Sequence, residues 1–445
     1  MKKNRTELIF TIFRLIGDIL VIHFSYILAF HIRFEQIATS NINAYYRNIP
    51  FIIIFSIIIF QLYNLYTEQT RKPLSDIFYA FIPATIIITL FSVTLSYYFQ
   101  TYKFPRSIFL IVLPILFIFL IIWRYFLLVI QKKFVGTMDI ILIGSKISTD
   151  KLKDNIYNFT NNGFNIKKII SKESFEKLNQ KKKRELLNEI SPEIIFITSD
   201  ISIKDKKELF YISLENNWEI SLVPEFYEIM IAGGRLNQIG EFPVYNIKSL
   251  KENGSSFLKR TVDILISAIS LIILSPLIFI ISMVIKLNSG GTIFYKQKRI
   301  SKNGKEFCVY KFRTMIYNAE KNTGPVLSNN NDSRITKVGK LLRKTRMDEI
   351  PQLFNVLKGE MSLIGPRPER PYFVDQYKQK IENYEYRHHV KSGITGLAQI
   401  YGFYSTDPEE KLRMDLIYAN NNNIFFDLKI ILNTLKVILI GKKAE

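Results

Sequence analysis

Two adjacent carboxylates, Asp348 and Glu349, have residue types suited to nucleophilic attack or to metal binding. They follow a cation-rich stretch, residues 337–347, that we expect to be helical. Pro351 disfavours helical geometry in the residue before it, so this helix should end near Glu349, and Pro351 can open the next helix, residues 352–358. The dipole of a helix disfavours negative charge at its C-terminus. Two carboxylates at such a position go against this local preference, and residues that do so are candidates for a functional site. A surface acidic pair neutralised by neighbouring arginines remains the alternative.

Three further segments contain residues that could contact a ligand. In a strand, Lys311 and Arg313 would project from one face, which suits a phosphate, although a solvated strand edge would show the same pattern. Arg367 lies between two prolines in a stiff loop, and its planar guanidinium suits a phosphate or carboxylate. Gly393 and Gly396 belong to a turn-rich loop that could allow close approach of a ligand.

The elements that position these residues begin with a strongly apolar N-terminal region. Four of its stretches are near or above the ~20 residues that a bilayer crossing needs. They are residues 8–32, 48–66, 76–99 and 107–130, and together with their flanks they form a predicted transmembrane domain, residues 1–133. Arg14 and Asp18 are four residues apart in the first stretch, so we expect them to pair and to offset part of the insertion cost.

A fifth apolar stretch, residues 261–287, is long enough to cross a bilayer. Ser275 and Pro276 stand in its middle, where the proline removes a helical hydrogen bond and kinks the axis. Its flanks are basic at both ends, which favours a re-entrant hairpin with both ends on one side of the membrane. A kinked helix that spans the membrane is the alternative.

The net charge of +21 suits nucleic acid, anionic lipid or phosphate-bearing substrates. Basic residues flank the apolar stretches in three groups, and the positive-inside rule places these groups in the cytoplasm. The groups are Lys2, Lys3 and Arg5; Arg71 and Lys72; and Lys132 and Lys133. Lys103 and Arg106 lie in the loop after the third stretch and weaken this signal.

Residues 134–250 have the βαβ rhythm of a doubly wound sheet, here predicted as a Rossmann-like α/β domain. Two short apolar strands, residues 140–143 and 194–197, end at Gly144 and Thr198. The first turn lacks the Gly-x-Gly-x-x-Gly fingerprint of dinucleotide binding, so we expect a structural or regulatory role. The one cysteine of the chain, Cys308, excludes multi-cysteine metal sites and is predicted to be a small core residue.

The C-terminal stretch, residues 424–440, is apolar with a thin polar stripe. Lys429, Asn433 and Lys436 would share one helical face at spacings of four and three residues. This pattern predicts a helix that lies in the membrane interface with its lysines near lipid phosphates. An ordinary buried helix is the alternative.

Four motifs in the last third of the chain resemble the bacterial sugar transferase family, the polyprenyl-phosphate phosphoglycosyl transferases. The motifs are Tyr310-Lys311-Phe312-Arg313-Thr314-Met315, Leu342-Arg343-Lys344-Thr345-Arg346-Met347-Asp348-Glu349-Ile350-Pro351-Gln352, Gly365-Pro366-Arg367-Pro368 and Gly396-Leu397-Ala398-Gln399. The resemblance covers residues 255–445, and the preceding domains are similar to those of the family's large members. It implies a mainly helical, monotopic catalytic domain, residues 251–445, with a re-entrant helix broken at Ser275-Pro276.

The same resemblance implies a two-step reaction at the cytoplasmic face of the bacterial cytoplasmic membrane. Asp348 would attack the β-phosphate of a UDP-sugar, UMP would leave, and undecaprenyl phosphate would then take the phosphosugar from the carboxylate. Glu349 would be the Mg²⁺ ligand. The cations expected to compensate the phosphates are Lys311, Arg313, Arg343, Arg346 and Arg367.

Two other functions are open to a chain of this composition. A conventional glycosyltransferase would move only the sugar and release UDP, and a non-catalytic membrane scaffold would use its charge on anionic lipid. Nucleic acid is not an expected partner, because the cations lie around the acidic pair and along membrane flanks. Self-association as a homodimer through the α/β domain is expected from the resemblance to large members of the family.

Overall fold

The computed structural model describes residues 2–36, 39–67, 74–99, 106–159, 163–239, 241–247, 257–289, 291–316, 332, 334–402 and 406–440. The chain forms two compact units, Met1–Pro224 and Glu225–Glu445. The predicted domains, residues 1–133, 134–250 and 251–445, stay predictions, and residues 225–250 of the second one fall in the second compact unit.

The first unit begins with four long helices, α1 (Lys2–Arg33), α2 (Thr39–Leu62), α3 (Leu74–Tyr98) and α4 (Arg106–Val135). These four and one helix of the second unit are the five helices of the described residues that are long and apolar enough to cross a membrane. Large apolar side chains such as Leu20, Leu90 and Leu110 point outward from them. Such a surface suits lipid and confirms the prediction of a membrane protein.

A buried polar cluster joins α1 to α4. Asp18 pairs with Arg124 of α4 at 2.5 Å, and both side chains are almost fully buried. Arg14 instead donates to the Gln131 side chain at 2.9 Å and to the Tyr66 carbonyl at 3.1 Å. The predicted Arg14–Asp18 pair is therefore wrong, because α4 packs along α1 and supplies a closer partner for each charge. Arg71, Lys72 and Lys103, which contributed to the predicted orientation in the membrane, lie outside the described residues.

The α/β region of the first unit contains a four-stranded parallel sheet in the order β2-β1-β3-β4. Its strands are β1 (Met138–Gly144), β2 (Phe164–Ser171), β3 (Ile194–Ile197) and β4 (Glu219–Leu222). Its helices are α5 (Lys146–Phe159), α6 (Lys172–Glu176), α7 (Gln180–Ile190) and α8 (Ile203–Asn216). Alternate residues of β1, such as Ile140 and Ile141, enter separate cores. Apolar packing on both faces explains the unbroken apolar strands and confirms the doubly wound α/β prediction.

The crevice at the carboxyl ends of β1 and β3 holds a carboxylate of the chain itself. The backbone N–H of Ser145, just before α5, donates to Asp200 at 3.0 Å. A Cβ atom on Gly144 would lie 1.9 Å from the Thr198 hydroxyl oxygen, so the turn is tightly packed. Doubly wound folds bind nucleotide phosphates at this place. Its occupation by Asp200 favours the predicted structural or regulatory role.

The second unit is mainly helical with three small two-stranded sheets among its described residues. Its helices are α9 (Phe226–Ala232), α10 (Phe257–Ser289), α11 (Lys337–Lys344), α12 (Gln352–Lys358), α13 (Pro371–Lys380), α14 (Leu397–Tyr401), α15 (Pro408–Asn420) and α16 (Ile424–Ile440). The antiparallel pairs are β5 (Arg235–Ile239) with β6 (Phe242–Asn246) and β7 (Phe294–Ile300) with β8 (Glu306–Phe312). The parallel pair is β9 (Ser362–Ile364) with β10 (Gly393–Thr395).

Helix α10 continues through Ser275-Pro276. Pro276 has no N–H to donate to the carbonyl of Ile272, four residues earlier. The Ser275 hydroxyl donates to that same carbonyl at 2.7 Å. The serine therefore satisfies the group that the proline leaves open, which an apolar setting requires. The re-entrant turn predicted at this point stays a prediction.

Both ends of α10 contact the rest of the second unit. Near its start, Lys259 pairs with Asp427 of α16 at 2.5 Å, and Asp263 accepts a hydrogen bond from Ser362 of β9 at 2.8 Å. Near its end, Ile281 and Ile285 pack in a core cluster with residues of β8 and α11. The helix is thus fixed at both ends to the segments that surround Asp348 and Arg367.

The second unit bears on two predictions about surface and core residues. In α16, Asn433 of the polar stripe is buried and donates to the Lys429 carbonyl within the helix, while Lys429 and Lys436 are partly exposed, and the interfacial position of the helix stays a prediction. The outward residues are apolar, Phe425 and Leu428 among them. Cys308 is exposed rather than part of the core, since its neighbour Val309 takes the inward position on β8.

Candidate active site

Asp348 and Glu349 lie in a short 3-10 turn, Met347–Glu349, between α11 and α12. Helix α11 ends at Lys344, and Arg346 then adopts the left-handed conformation with φ 55°. The predicted helix end near Glu349 is therefore wrong, because the backbone at Arg346 ends the helical run several residues earlier. The two carboxylates therefore lie before α12 and not at the C-terminal end of α11. The dipole of α11 is then no reason to expect their negative charge to be disfavoured.

The proline after the turn acts differently from the prediction. Ile350 keeps helical dihedral angles, φ −52° and ψ −40°, although a proline follows it. Pro351 stands directly before α12 with φ −62°, a value that its ring sets in advance for a helix. The prediction that Pro351 opens a helix over residues 352–358 is confirmed, whereas the predicted break at Ile350 is wrong.

Glu349 is held by two cations from different elements. Its Oε1 atom accepts from Lys311 Nζ of β8 at 2.7 Å and from Arg367 Nη2 at 2.8 Å. Burial opposes ionisation of the carboxyl, but the charges of Arg367 and Lys311 outweigh it and hold its pKa well below the usual range. Glu349 is therefore a fixed anion at physiological pH.

Asp348 differs from Glu349 in its partners and in the direction of its pKa shift. Its side chain is nearly buried and forms no hydrogen bond or ion pair with any residue that the structure describes. Burial raises its pKa above the ordinary value, Lys311 opposes this, and the Glu349 charge adds to it. Environments that push two adjacent carboxyl pKa values apart are a mark of divided roles in catalysis. The two adjacent acids therefore differ in their partners and in the direction of their pKa shifts.

Two of the other predicted cations, Arg343 and Arg346, interact electrostatically with the acidic pair. Arg343 of α11 donates to the Thr314 hydroxyl at 2.9 Å, and its charge lowers the pKa of Asp348. Burial lowers the pKa of Arg346, and the Glu349 charge opposes this shift. Arg313 follows β8, with its backbone N–H donating to the Ile293 carbonyl at 2.9 Å, and its place in substrate binding stays a prediction.

The loop that carries Arg367 is fixed through its backbone. Four consecutive carbonyls each accept a hydrogen bond from outside the loop. The acceptor and donor pairs are Pro366 with Gly393 N (2.9 Å), Arg367 with Arg387 Nη2 (3.0 Å), Pro368 with Arg299 Nη1 (2.9 Å) and Glu369 with Ile300 N (2.9 Å). Because its backbone is held this way, the loop presents the guanidinium of Arg367 to Glu349 at a set position.

The glycines of the later loop serve this backbone packing. A Cβ atom on Gly393 would lie 2.0 Å from the backbone nitrogen of Gly365, and one on Gly396 would lie 2.2 Å from the Gly365 carbonyl oxygen. These contacts join β10 and the turn after it to the start of the Arg367 loop. The prediction that the glycines admit a ligand is corrected, since the close neighbour of both is protein backbone.

Sequence reasoning missed the buried groups that support the site. Arg387, which bonds the Arg367 carbonyl, forms an ion pair with Asp415 of α15 at 2.8 Å, and both side chains are buried. Asn355 of α12 is fully buried, accepts from Tyr310 N at 3.0 Å and donates to the Cys308 carbonyl at 2.7 Å. This amide ties α12 to the strand that carries Lys311. The partners are distant in sequence, so no local pattern announces them.

A small, open cleft lies beside the ion-paired glutamate. Its lining residues are Arg299, Val309, Lys311, Gln352, Arg367 and Pro368. Three of the six are cations and none is acidic, so the cleft suits an anionic group such as a phosphate. Arg299 and Gln352 were not among the predicted site residues.

The acidic pair suits Mg²⁺ only in combination with substrate oxygens. No group of three or more potential ligands of the His, Cys, Asp and Glu types occurs among the described residues. The second oxygen of Glu349, Oε2, accepts no hydrogen bond within the described part of the chain. Magnesium is commonly held by one or two carboxylates and by substrate phosphates, and the residues present fit that mode.

Comparisons with known proteins show similarity to sugar transferases. The family model described as bacterial sugar transferase matches residues 254–441. A UDP-N-acetylgalactosamine-undecaprenyl-phosphate N-acetylgalactosaminephosphotransferase of Aeromonas hydrophila is 40% identical over 232 residues, which cover 46% of this chain and 55% of the relative. A UDP-glucose:undecaprenyl-phosphate glucose-1-phosphate transferase of Klebsiella pneumoniae is 40% identical over 228 residues, covering 50% of this chain and 49% of the relative.

A shorter relative matches over nearly its whole length. It is a protein of Bacillus subtilis provisionally named undecaprenyl-phosphate N-acetylgalactosaminyl 1-phosphate transferase, 44% identical over 162 residues. The match covers 36% of this chain and 90% of that protein. By contrast, the chain spans only about half the length of the two larger relatives. The family model lies wholly within the second unit, which contains Asp348, Glu349 and Arg367.

Proposed function

Because the chain belongs to the bacterial sugar transferase family, we propose that it transfers a sugar 1-phosphate from a UDP-sugar to undecaprenyl phosphate. The names of its relatives support this donor and this acceptor. The observation that carries the proposal is the contrast between Asp348, nearly buried and without a partner among the described residues, and Glu349, paired with Lys311 and Arg367. The product would be a first membrane-bound intermediate of capsule, O-antigen or exopolysaccharide synthesis.

The first step uses Asp348 as a nucleophile. A carboxylate oxygen of Asp348 attacks the β-phosphorus of the UDP-sugar. The bond from this phosphorus to the oxygen bridging it to the α-phosphate breaks, and UMP leaves with that oxygen. The sugar phosphate remains on Asp348 as an acyl phosphate. Arg343 supports the step, because its charge favours the ionised form of Asp348 that attacks.

The second step regenerates the carboxylate. An oxygen of undecaprenyl phosphate attacks the phosphorus held by Asp348, the acyl phosphate bond breaks, and a sugar-diphosphate lipid is released. Phosphoryl transfer depends mainly on positioning and on neutralising charge. Lys311 and Arg367 supply that charge at the cleft, where each also holds Glu349 in place.

Magnesium belongs to the same proposal. Glu349 would hold the ion, with Asp348 beside it and the donor phosphates completing the ligands. When bound, Mg²⁺ would neutralise negative charge on the diphosphate. Glu349 suits this role because its carboxyl is ionised at all physiological pH values.

The proposed membrane arrangement has four crossings by α1 to α4 and a re-entrant α10. Both ends of α10 contact the same compact unit, Lys259 through Asp427 and Ile285 through the β8–α11 cluster. Its middle exposes large apolar side chains, Ile272 and Phe279 among them. These features support a helix that enters the lipid and returns, with the active site on the cytoplasmic face of the bacterial inner membrane, where nucleotide sugars occur.

Lipid contact and self-association complete the expected partners. The outward apolar residues of α16, such as Phe425, support contact with the membrane interface. Homodimer formation through the α/β region of the first unit is carried from the family resemblance as a proposal.

Product analysis tests the proposed reaction. The full chain, purified in detergent or nanodiscs, is incubated with Mg²⁺, undecaprenyl phosphate and a panel of UDP-sugars. Release of UMP with a sugar-diphosphate lipid is the expected result. Release of UDP would show a conventional glycosyltransferase instead, and folded protein without turnover on any donor would favour a membrane scaffold.

A further inference from the structure

Gln352, the first residue of α12, has a polar side chain that makes no hydrogen bond to any described residue. It lines the cleft beside Lys311 and Arg367 and is 3% exposed. Its carboxamide forms no hydrogen bond with any residue in the described part of the chain. Because the residue lines the cleft and its carboxamide has no partner among the described residues, the amide is placed to bond a ligand that enters the cleft.

The polar side chains near Gln352, in contrast, all have hydrogen-bond partners within the protein. Asn355, on the same helix, bonds the backbone of β8 through both amide atoms. Lys311 and Arg367 both bond Glu349, and Arg299 bonds the Pro368 carbonyl. Each of these residues therefore has a partner within the protein. Among the polar side chains lining the cleft, Gln352 alone makes no hydrogen bond to a described residue.

The chemistry of the cleft indicates what Gln352 would contact. The other polar side chains of the lining are cations, so an anion is the ligand that the cleft favours. A carboxamide supplies two N–H donors and carries no charge. It can bond a phosphate oxygen without adding to the repulsion among Arg299, Lys311 and Arg367.

We propose that the Gln352 side-chain N–H donates a hydrogen bond to a diphosphate oxygen of the UDP-sugar, which makes Gln352 a donor-binding residue. This inference rests on the proposed function for the identity of the ligand. The sequence position supports it, since Gln352 follows the reacting Asp348 by four residues, and Asn355 fixes the same helix to β8.

The test compares two variants of the full chain. Gln352→Met keeps the length of the side chain and removes its polar atoms, and Gln352→Glu replaces the donors by a carboxylate. Equilibrium dissociation constants for UDP and for a UDP-sugar are measured with Mg²⁺ and without acceptor. A hydrogen bond to a charged group corresponds to a loss of about 10-fold or more in affinity. We expect Gln352→Met to weaken UDP and UDP-sugar by the same factor of this size, and Gln352→Glu to weaken both further.

Kinetics separate this role from a structural one. The bond is present in the bound substrate as well as during the reaction, so KM should rise while kcat changes little. Gln379→Glu, on the exposed face of α13, makes the same change of charge in the same unit and should leave both constants unchanged. The melting temperature of Gln352→Met should match that of the parent chain, because Gln352 bonds nothing in the described protein.

Other outcomes have definite meanings. Unchanged affinity for UDP in both variants overturns the inference, as does a loss confined to the UDP-sugar, which would place the contact at the sugar. Binding is measured without turnover, so the two proposals can fail separately. A parent chain that binds UDP but transfers no phosphosugar contradicts the proposed function and still leaves the Gln352 contact measurable.

Discussion

Arg367 and Glu349 form an ion pair of 2.8 Å that joins the proline-bracketed loop to the turn holding the acidic pair. Lys311 of β8 bonds the same carboxylate oxygen at 2.7 Å. Glu349 is thereby fixed as an anion, and Asp348 beside it is left without a partner among the described residues. The chemistry proposed for the two acids follows from this difference.

Replacement of Arg367 by lysine should weaken donor binding. Lysine keeps the charge but loses the planar fork that bonds carboxylate and phosphate oxygens together. We expect KM for the UDP-sugar to rise about 10-fold or more, measured as initial rates of UMP release. Arg370→Lys, in the same segment, serves as the matched control and should change KM little. Equal effects of the two variants would contradict a specific role for Arg367.

The pH dependence of the reaction should report Asp348. The ionised form attacks, so kcat/KM should rise with pH through the raised pKa of Asp348, whereas Glu349 is already ionised across that range. Lys311 lowers the pKa of Asp348. In Lys311→Met the acidic limb of the profile should therefore move to higher pH. A limb that stays in place or moves to lower pH would show that another group titrates.

Removal of the Asp348 charge should not destabilise the protein. The raised pKa means that the folded state disfavours the ionised carboxylate, so this group contributes less stability as pH rises through its titration range. Asp348→Asn removes that buried charge without changing the shape of the side chain. We expect a melting temperature equal to or slightly above the parent value near pH 7. A large decrease would indicate a structural role for Asp348.

The left-handed conformation of Arg346 has its own consequence. Glycine adopts φ 55° without steric cost, while alanine is strained there by about 1–2 kcal/mol. Arg346→Gly should therefore be more stable than Arg346→Ala in thermal unfolding, although both lose the same cation. The reverse order would mean that this backbone geometry does not limit stability.

The buried Arg387–Asp415 pair should be sensitive to the loss of one partner. Asp415→Asn leaves the guanidinium of Arg387 buried without its counter-charge, at a cost of about 3–5 kcal/mol. Because Arg387 also bonds the Arg367 carbonyl, the remaining folded enzyme should show a raised KM for the donor. Thermal unfolding and donor kinetics on one preparation measure both effects. An unchanged melting temperature would argue against the pair.

Elements with strong local patterns could be predicted from the sequence. Unbroken apolar runs predicted the strands around Ile140 and Ile194, and apolar length predicted α16 and the long N-terminal helices. The resemblance of the motif around Asp348 and Glu349 to the sugar transferase family led to the candidate site, whereas the residue types alone had left a surface acidic pair as the alternative. These features depend on neighbours in sequence, which a single chain displays directly.

Features that depend on distant neighbours could not be predicted in this way. Asp18 pairs with Arg124, more than a hundred residues away, instead of with Arg14 four residues away. Gly393 and Gly396 pack on Gly365 rather than on a ligand, and the left-handed Arg346 ends α11 before the proline can. In each case a tertiary contact or a backbone angle decided the outcome, and neither leaves a local pattern.

The proposed mechanism depends on a covalent bond between Asp348 and the sugar phosphate. Intact-protein mass spectrometry of the full chain, incubated with Mg²⁺ and UDP-sugar but without acceptor, detects this bond. We expect a mass increase equal to one phosphosugar, mapped to Asp348, that disappears when undecaprenyl phosphate is added. Glu349→Gln keeps the nucleophile and should form this adduct slowly, while Asp348→Asn should form none. An Asp348→Asn enzyme that still turns over, or an adduct on another residue, would contradict the covalent mechanism.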